Sequence, residues 1–267
     1  MVGTETSSSA QLLELTGRAG RRALVDWDRL AWGRAPSGNF DPSSLDALPE
    51  PARRWLTHAI EPGTPLWHGV LLDMHGRIRL LGWRKFRAVQ IHALPRGYIW
   101  AARARFAFLP LSGYDRFLDG EAEMRWSLFA HLPVVTATGE DLARAEAGRA
   151  VIDAIFVPTA FLGPDVTWHE GSTPNSAVAE WSIGDLVLRP EITVARDGSL
   201  ISVKMQRWSR PKGEKWGDHS YGGFVGNEKE FNGVRIPTTM RVGYYFGTER
   251  WARAESYRAT ITCASFF

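Results

Sequence analysis

Arg149 and Asp153, of opposite charge, stand four residues apart in the stretch EAGRAVIDAIFVPTAF. On a helix that spacing puts them on one face, where an exposed ion pair contributes about 0.2–0.5 kcal/mol. Facing an apolar hollow, the same pair would orient a ligand at its mouth. Two tyrosines have similar standing. Tyr98 keeps step with Trp100 and Ala102 on an alternating stretch, and Tyr244 with Met240, Val242 and Phe246. A phenol aimed into an apolar interior must find a hydrogen-bond partner, because an unpaired buried hydroxyl costs about 1–3 kcal/mol. That partner is either a core carbonyl or a ligand oxygen, and in the second case the phenol polarises it. These four are the candidate catalytic residues. Trp100, Trp126, Trp181 and Met205 fall on apolar faces and form the candidate ligand-binding surface.

Other chemistries find little support. The seven histidines include no pair at helical i,i+4 spacing and no HExxH, and Cys263 is the single cysteine, so no metal site and no disulfide framework are expected. GEKWGDHSYGGFVG is glycine-rich but has neither GxGxxG nor a P-loop lysine, and no nucleotide cofactor is expected. GxSxG is absent. Glu121, Glu123 and Arg125 share one side of a strand opposite Ala122, Met124, Trp126 and Leu128, which describes a solvated ion-pair row. Tyr114 and Asp115 read as turn residues.

The chain has 267 residues, 44% hydrophobic and 23% charged, enough for a sizeable core. Its 12 Trp, 13 Phe and 6 Tyr imply either a bulky core or an aromatic-lined cavity. A net charge of +3 with scattered arginines argues against a nucleic-acid partner. In YIWAARARFAF, Trp100, Ala102, Ala104, Phe106 and Phe108 point one way and Arg103 and Arg105 the other, as on a half-buried strand. No apolar run reaches 18 residues and the N-terminus lacks a secretory pattern, so the expectation is a cytoplasmic protein with no integral membrane segment.

The positioning elements follow from periodicity. Residues 1–9 are polar and expected to be disordered. Residues 10–33 carry apolar positions at helical spacing, 34–47 form a Pro/Gly/Ser linker, and Pro49 and Pro51 open a short helix. Strands begin near residue 65, with turns expected at His75-Gly76, Pro95-Arg96-Gly97 and Asp197-Gly198. One helix interrupts them: Thr138 and Asp141 resemble a capping box, and Ala143, Ala147, Ala150, Val151, Ala154 and Ile155 form its apolar stripe. Residues 209–233 read as a mobile loop or lid. The expected architecture is mainly β: a large curved antiparallel sheet or half-barrel (48–267) around an inserted covering helix, preceded by an N-terminal helical segment and linker (1–47).

Six stretches, LPEPARRWL, PRGYIWAARARF…LPLSGYDRFLDGEAEMRWSLF, EAGRAVIDAIFVPTAFL, VTWHE, DGSLISVKMQRW and VRIPTTMRVGYYFGTERW, together resemble an uncharacterised bacterial family known only as a domain of unknown function. The resemblance spans roughly residues 48–262. The strand succession with its inserted helix also looks like the half-barrel of lipoprotein carriers such as LolA and LppX, a fold in which a cofactor-free enzyme of violacein formation also occurs. It implies an apolar cavity and transfers no function by itself. Two functions fit such a cavity. One is a cofactor-independent cyclase or isomerase of specialised metabolism, holding a hydrophobic small molecule in a reactive conformation. The other is a carrier or sensor binding a lipid or other apolar ligand without chemistry. Polar groups converging on one point favour the enzyme and a dry lining favours the carrier. A protein-interaction domain ranks third.

Overall fold

A computed structural model of the protein describes residues 12, 14–16, 20–31 and 36–267. Fourteen strands form one antiparallel sheet. The first wing is a meander of hairpins: β1 (Val70–Leu80), β2 (Gly82–Ala93), β3 (Gly97–Phe106), β4 (Leu109–Leu118), β5 (Glu121–Leu128) and β6 (Leu132–Thr138). The second wing comprises β7 (Val166–Glu170), β8 (Ser176–Ile183), β9 (Leu186–Leu188), β10 (Glu191–Val194), β11 (Leu200–Ser209), β12 (Gly217–Phe231), β13 (Val234–Tyr244) and β14 (Glu255–Phe266). The wings join where the last strand pairs with the first, from Val70 opposite Phe266 to Ile78 opposite Tyr257. The spatial order runs from β6 at one edge to β7 at the other, with β9 branching from β8, so the sheet is an open half-barrel and not a closed barrel.

This order explains the solitary helix. After β6 the chain stands at one edge and its next strand, β7, lies at the opposite edge. Helix α3 (Glu140–Asp153), extended by short 3₁₀ turns over Ala154–Phe156 and Pro158–Leu162, makes that crossing inside the trough. A curved sheet with an apolar concave face must be covered. The covering here is nearly all-round: Leu142, Ala145, Glu146, Ala147, Gly148, Ala150, Val151 and Ile152 are buried, which is more of the helix than the stripe alone accounts for. The expected capping box does not form. Thr138 ends β6, Gly139 is the N-cap with no side-chain bond, and Asp141 accepts from Trp208 Nε1 at 2.8 Å.

Among the described residues, two more helices of ten or eleven residues pack around the sheet. Helix α1 (Arg21–Ala31) buries Trp27 and Leu30 on the outer face against Val89, Ile91, Ile99, Ala101 and Tyr114. The middle of β2 and β3 is thereby buried on both sides, which accounts for the continuous apolar character around IHALPRGYIWAA. Helix α2 (Glu50–Ala59), with Pro51 in its first turn, inserts Trp55 against Phe161, ring centroids 4.9 Å apart. Residues 1–9, expected to be disordered, lie outside the described residues.

Three local expectations are corrected. His75 and Gly76 are inside β1, and the turn falls at Leu81-Gly82. Gly76 is needed for close approach instead: a β-carbon there would lie 1.9 Å from the Arg258 carbonyl oxygen. Residues 209–233 are not a lid. Ser209 ends β11, only 210–216 form a loop, and the rest builds β12, the longest strand, and the tight turn to β13. Phe106 is 38% exposed and Phe108, in the β3–β4 turn, 92% exposed, because the strand's alternation stops at the hairpin.

Candidate functional site: a polar-floored aromatic cavity

Period-two alternation turns Met74 and Ile78 of β1, Gln90 of β2, Trp100 of β3 and Asp115 of β4 toward the trough. From the other wing come Arg207 of β11, Tyr221 of β12, Met240, Val242 and Tyr244 of β13, and Tyr257 of β14. Together with Glu146, Arg149 and Asp153 of α3 they line a cavity of about 300 Å³. Its walls are aromatic and thioether: Tyr221 and Tyr244 meet edge to face at 5.2 Å, and Trp100 packs on Tyr257 at 6.1 Å.

The floor is an ion-pair network centred on Arg149. Its Nη1 donates to Asp115 Oδ2 at 2.8 Å, and its Nε lies 3.5 Å from Asp153 Oδ2. The guanidinium also sits over the rings of Tyr98 and Trp100, at 4.8 and 5.0 Å from their centroids, where a cation gains from the negative ring faces. Asp115 accepts a second bond from Trp126 Nε1 at 2.9 Å, and Asp153 one from Gln90 Nε2 at 3.1 Å. Alongside, the Tyr98 hydroxyl donates to Glu146 Oε2, whose other oxygen lies 3.6 Å from Arg207 Nη2. Arg207 Nε in turn donates to the Ala145 carbonyl at 2.9 Å and its guanidinium covers the Tyr221 ring.

Burial governs the proton affinities. It raises the Asp115 carboxyl, against the pull of Arg149 and the Trp126 N–H. Burial opposes the charge of Arg149, yet Tyr98, Asp153, Asp115 and Glu146 hold its affinity well above the ordinary value. The Tyr98 phenol is pushed far up by burial, as is that of Tyr257, while Tyr221 rises to about 12. His92, fully buried beside the network, is pushed down by burial and holds the Ala150 carbonyl at 2.9 Å through Nε2.

Several donors remain unbonded. Among the described residues, Arg149 Nη2 and the hydroxyls of Tyr221 and Tyr244 make no hydrogen bond. Trp100 Nε1 is buried and, although near enough to the Tyr257 phenol to influence its proton, has no bond of good geometry. The cavity therefore offers donors beside carboxylates that each have at least one oxygen engaged, Asp153 Oδ2 taking both the Gln90 and the Arg149 contact.

The structure brings together Arg149, Asp153, Tyr244 and Trp100 on the cavity lining. Tyr98 stands behind the lining and reaches the network through Glu146. Trp126 likewise acts behind Asp115. Trp181 and Met205 lie outside the cavity: Trp181 belongs to a separate aromatic cluster, 5.2 Å from Phe161, and Met205 is buried in the main core. Sequence reasoning missed Gln90, Glu146, Arg207, Tyr221 and Tyr257 and misassigned Asp115, which sits mid-strand and not in a turn. A signal for Asp115 existed in its register with Gly113 and Phe117. On the outer face, Glu123 pairs with Arg125 and accepts from the buried Tyr114 hydroxyl at 3.0 Å, so the pair is half-buried and not the solvated row expected.

Fold and site define a class: an open antiparallel half-barrel with a helix in its trough and a small aromatic cavity between helix and sheet. The family of unknown function DUF6544 matches residues 38–256, and the chain belongs to it. No curated protein matches the chain. A solved structure named as an outer membrane lipoprotein-sorting protein domain from Vibrio parahaemolyticus is similar at TM-score 0.43 and 9% identity, over 85% of this chain and 93% of that one. Among the described residues no helix is long and apolar enough to cross a membrane, and no group of three or more His, Cys, Asp or Glu side chains could hold a metal ion.

Proposed function

We propose that this half-barrel is a binding module, a carrier or sensor, for a small neutral molecule with an apolar body and one acceptor oxygen. The observation that carries this reading is the set of donors left unbonded on the lining, beside carboxylates each already held by at least one side-chain donor. About 300 Å³ lies at the lower end of the range for small-molecule sites, so the ligand is compact. With three carboxylates and two guanidiniums the floor carries a formal charge of −1 when all are ionised, which the burial-raised Asp115 carboxyl draws toward zero, so an anionic ligand would meet repulsion at low dielectric while a neutral one would not. A neutral hydroxyl or carbonyl could instead accept from Arg149 Nη2 or a tyrosine hydroxyl.

Polar groups do converge on the cavity floor, which by convergence alone favours a cofactor-independent cyclase or isomerase, but they are bonded chiefly to one another, and that reading fits less well. General acid–base catalysis needs a group free to exchange a proton with the substrate. Asp115 and Asp153 are held by Arg149, Trp126 and Gln90, and Glu146 by Tyr98 and Arg207. The test is native mass spectrometry and calorimetry with 1-octanol, octanoate and octylammonium. The neutral alcohol should bind best, and Val242→Trp, which fills the cavity, should abolish uptake. Equal binding of all three, or retention by Val242→Trp, would overturn the proposal.

A further inference from the structure

The outer face of the first wing carries a second feature, independent of the cavity. Between Asp73 and Asp115 the chain has seven arginines and one lysine and no carboxylate. They look scattered along the sequence, but the sheet gathers most of them. Arg77 lies opposite Lys85 on one side and Arg258 on the other, and Arg87 lies opposite both His75 and Arg103. Arg77, Lys85, Arg87, Arg103 and Arg105 are exposed and line one broad groove, in which the carboxylates are Asp73 and Glu14. Arg103 donates to the Glu14 and Leu15 carbonyls, and among the described residues none of these five cations forms an ion pair with a carboxylate within 4 Å. Like charges facing each other across strands are destabilising. An external anion would relieve that repulsion.

Apolar side chains stand directly beyond this ladder. In a meander of hairpins the β1–β2, β3–β4 and β5–β6 turns all fall at one end of the sheet. Those turns present Leu81 at 64% exposure, Phe108 at 92% and Phe129 at 50%, with Leu132 beside them at 54%. Leu81 is four residues from Arg77 and Phe108 three from Arg105, about 10–13 Å along a strand. From this geometry we infer that the first-wing end of the sheet docks on an anionic lipid surface, the hairpin tips entering the acyl boundary and the cationic ladder facing the phosphates. Nucleic acid would engage the cations but has no use for exposed aliphatic and phenyl tips at their end. The inference does not rest on the cavity's function.

Vesicle flotation of the full chain tests it, using phosphatidylcholine alone and phosphatidylcholine with phosphatidylglycerol. The protein should float with the anionic vesicles, and high salt should release it. Each basic residue near such a surface contributes about five-fold in partitioning, so Lys85→Gln with Arg87→Gln should weaken binding about 25-fold. That pair removes like-charge repulsion, so its melting temperature should not fall, and lost binding cannot be ascribed to unfolding. Phe108→Ser should weaken binding several-fold at unchanged charge. Equal binding to neutral vesicles, indifference to these substitutions, or displacement by single-stranded oligonucleotide with Phe108→Ser bound as well as wild type would each overturn the inference.

Discussion

Replacing Arg149 by Met tests whether the ion-pair network, and not simple packing, holds the helix in the trough. The substitution keeps most of the stem but removes the 2.8 Å bond to Asp115, the 3.5 Å contact with Asp153 and the position over two aromatic rings. Asp115 then keeps only the Trp126 N–H at 2.9 Å, in a site where its side chain is 10% exposed. Removing one partner of a buried pair costs about 3–5 kcal/mol, because the other charge is left uncompensated. With an unfolding entropy of about 2.1 cal/mol/K per residue, this corresponds to a Tm lowered by about 5–9 °C. The loss should depend on pH. Burial already raises the Asp115 carboxyl and Arg149 is the main force opposing it, so without Arg149 its affinity rises further. A carboxyl raised in the folded state favours folding while both states are protonated, and that contribution disappears as pH climbs from the unfolded value toward the folded one. The Arg149→Met penalty should therefore be small at and below about pH 4, the ordinary aspartate value, and should grow as pH rises above it. Adding Asp115→Asn should recover part of the neutral-pH loss, since the amide oxygen still accepts from Trp126. Urea unfolding followed by tryptophan fluorescence measures all of this. An equal penalty at acid and neutral pH, with no recovery in the double variant, would refute the electrostatic account.

Three further outcomes follow. Tyr98→Phe leaves Glu146 with Arg207 at 3.6 Å as its remaining side-chain partner and should cost about 1–3 kcal/mol in urea unfolding. Gly223→Val places a β-carbon 2.0 Å from the Arg241 carbonyl oxygen and should cost more than about 3 kcal/mol, whereas Gly226→Val on the same strand, with nothing within 4 Å, should cost far less. The Glu255 carboxyl, bonded by Arg241 and Arg258, is lowered to about 2, and that of Glu191 is also lowered to about 2 because its bonds from Ser172 outweigh burial. Stability from both is complete above about pH 4.5 and lost as pH falls toward about 2. For Glu255, whose arginine partners are half exposed, the loss is about 1–2 kcal/mol, and Glu255→Gln should flatten that part of the acid-unfolding curve.

The sequence by itself determined which side of each strand a residue takes, because two-residue alternation follows from backbone geometry. Trp100 with Tyr98, and Tyr244 with Met240 and Val242, were assigned to common faces on that ground, and Pro51 and the alanine stripe of α3 marked their helices. Composition misled where a neighbour decided the matter: the glycines of β12 read as a loop, yet Gly223 is required by how closely β13 approaches. Only the tertiary structure decided that β14 pairs with β1 and thereby faces Tyr257 toward Trp100. Alternation says nothing about which strand, well over a hundred residues away, lies alongside. The same closure brought Arg207 of the second wing to the floor with Gln90, Asp115 and Arg149, while the hairpin register of β1 to β3 gathered dispersed arginines into one cationic ladder on the opposite face.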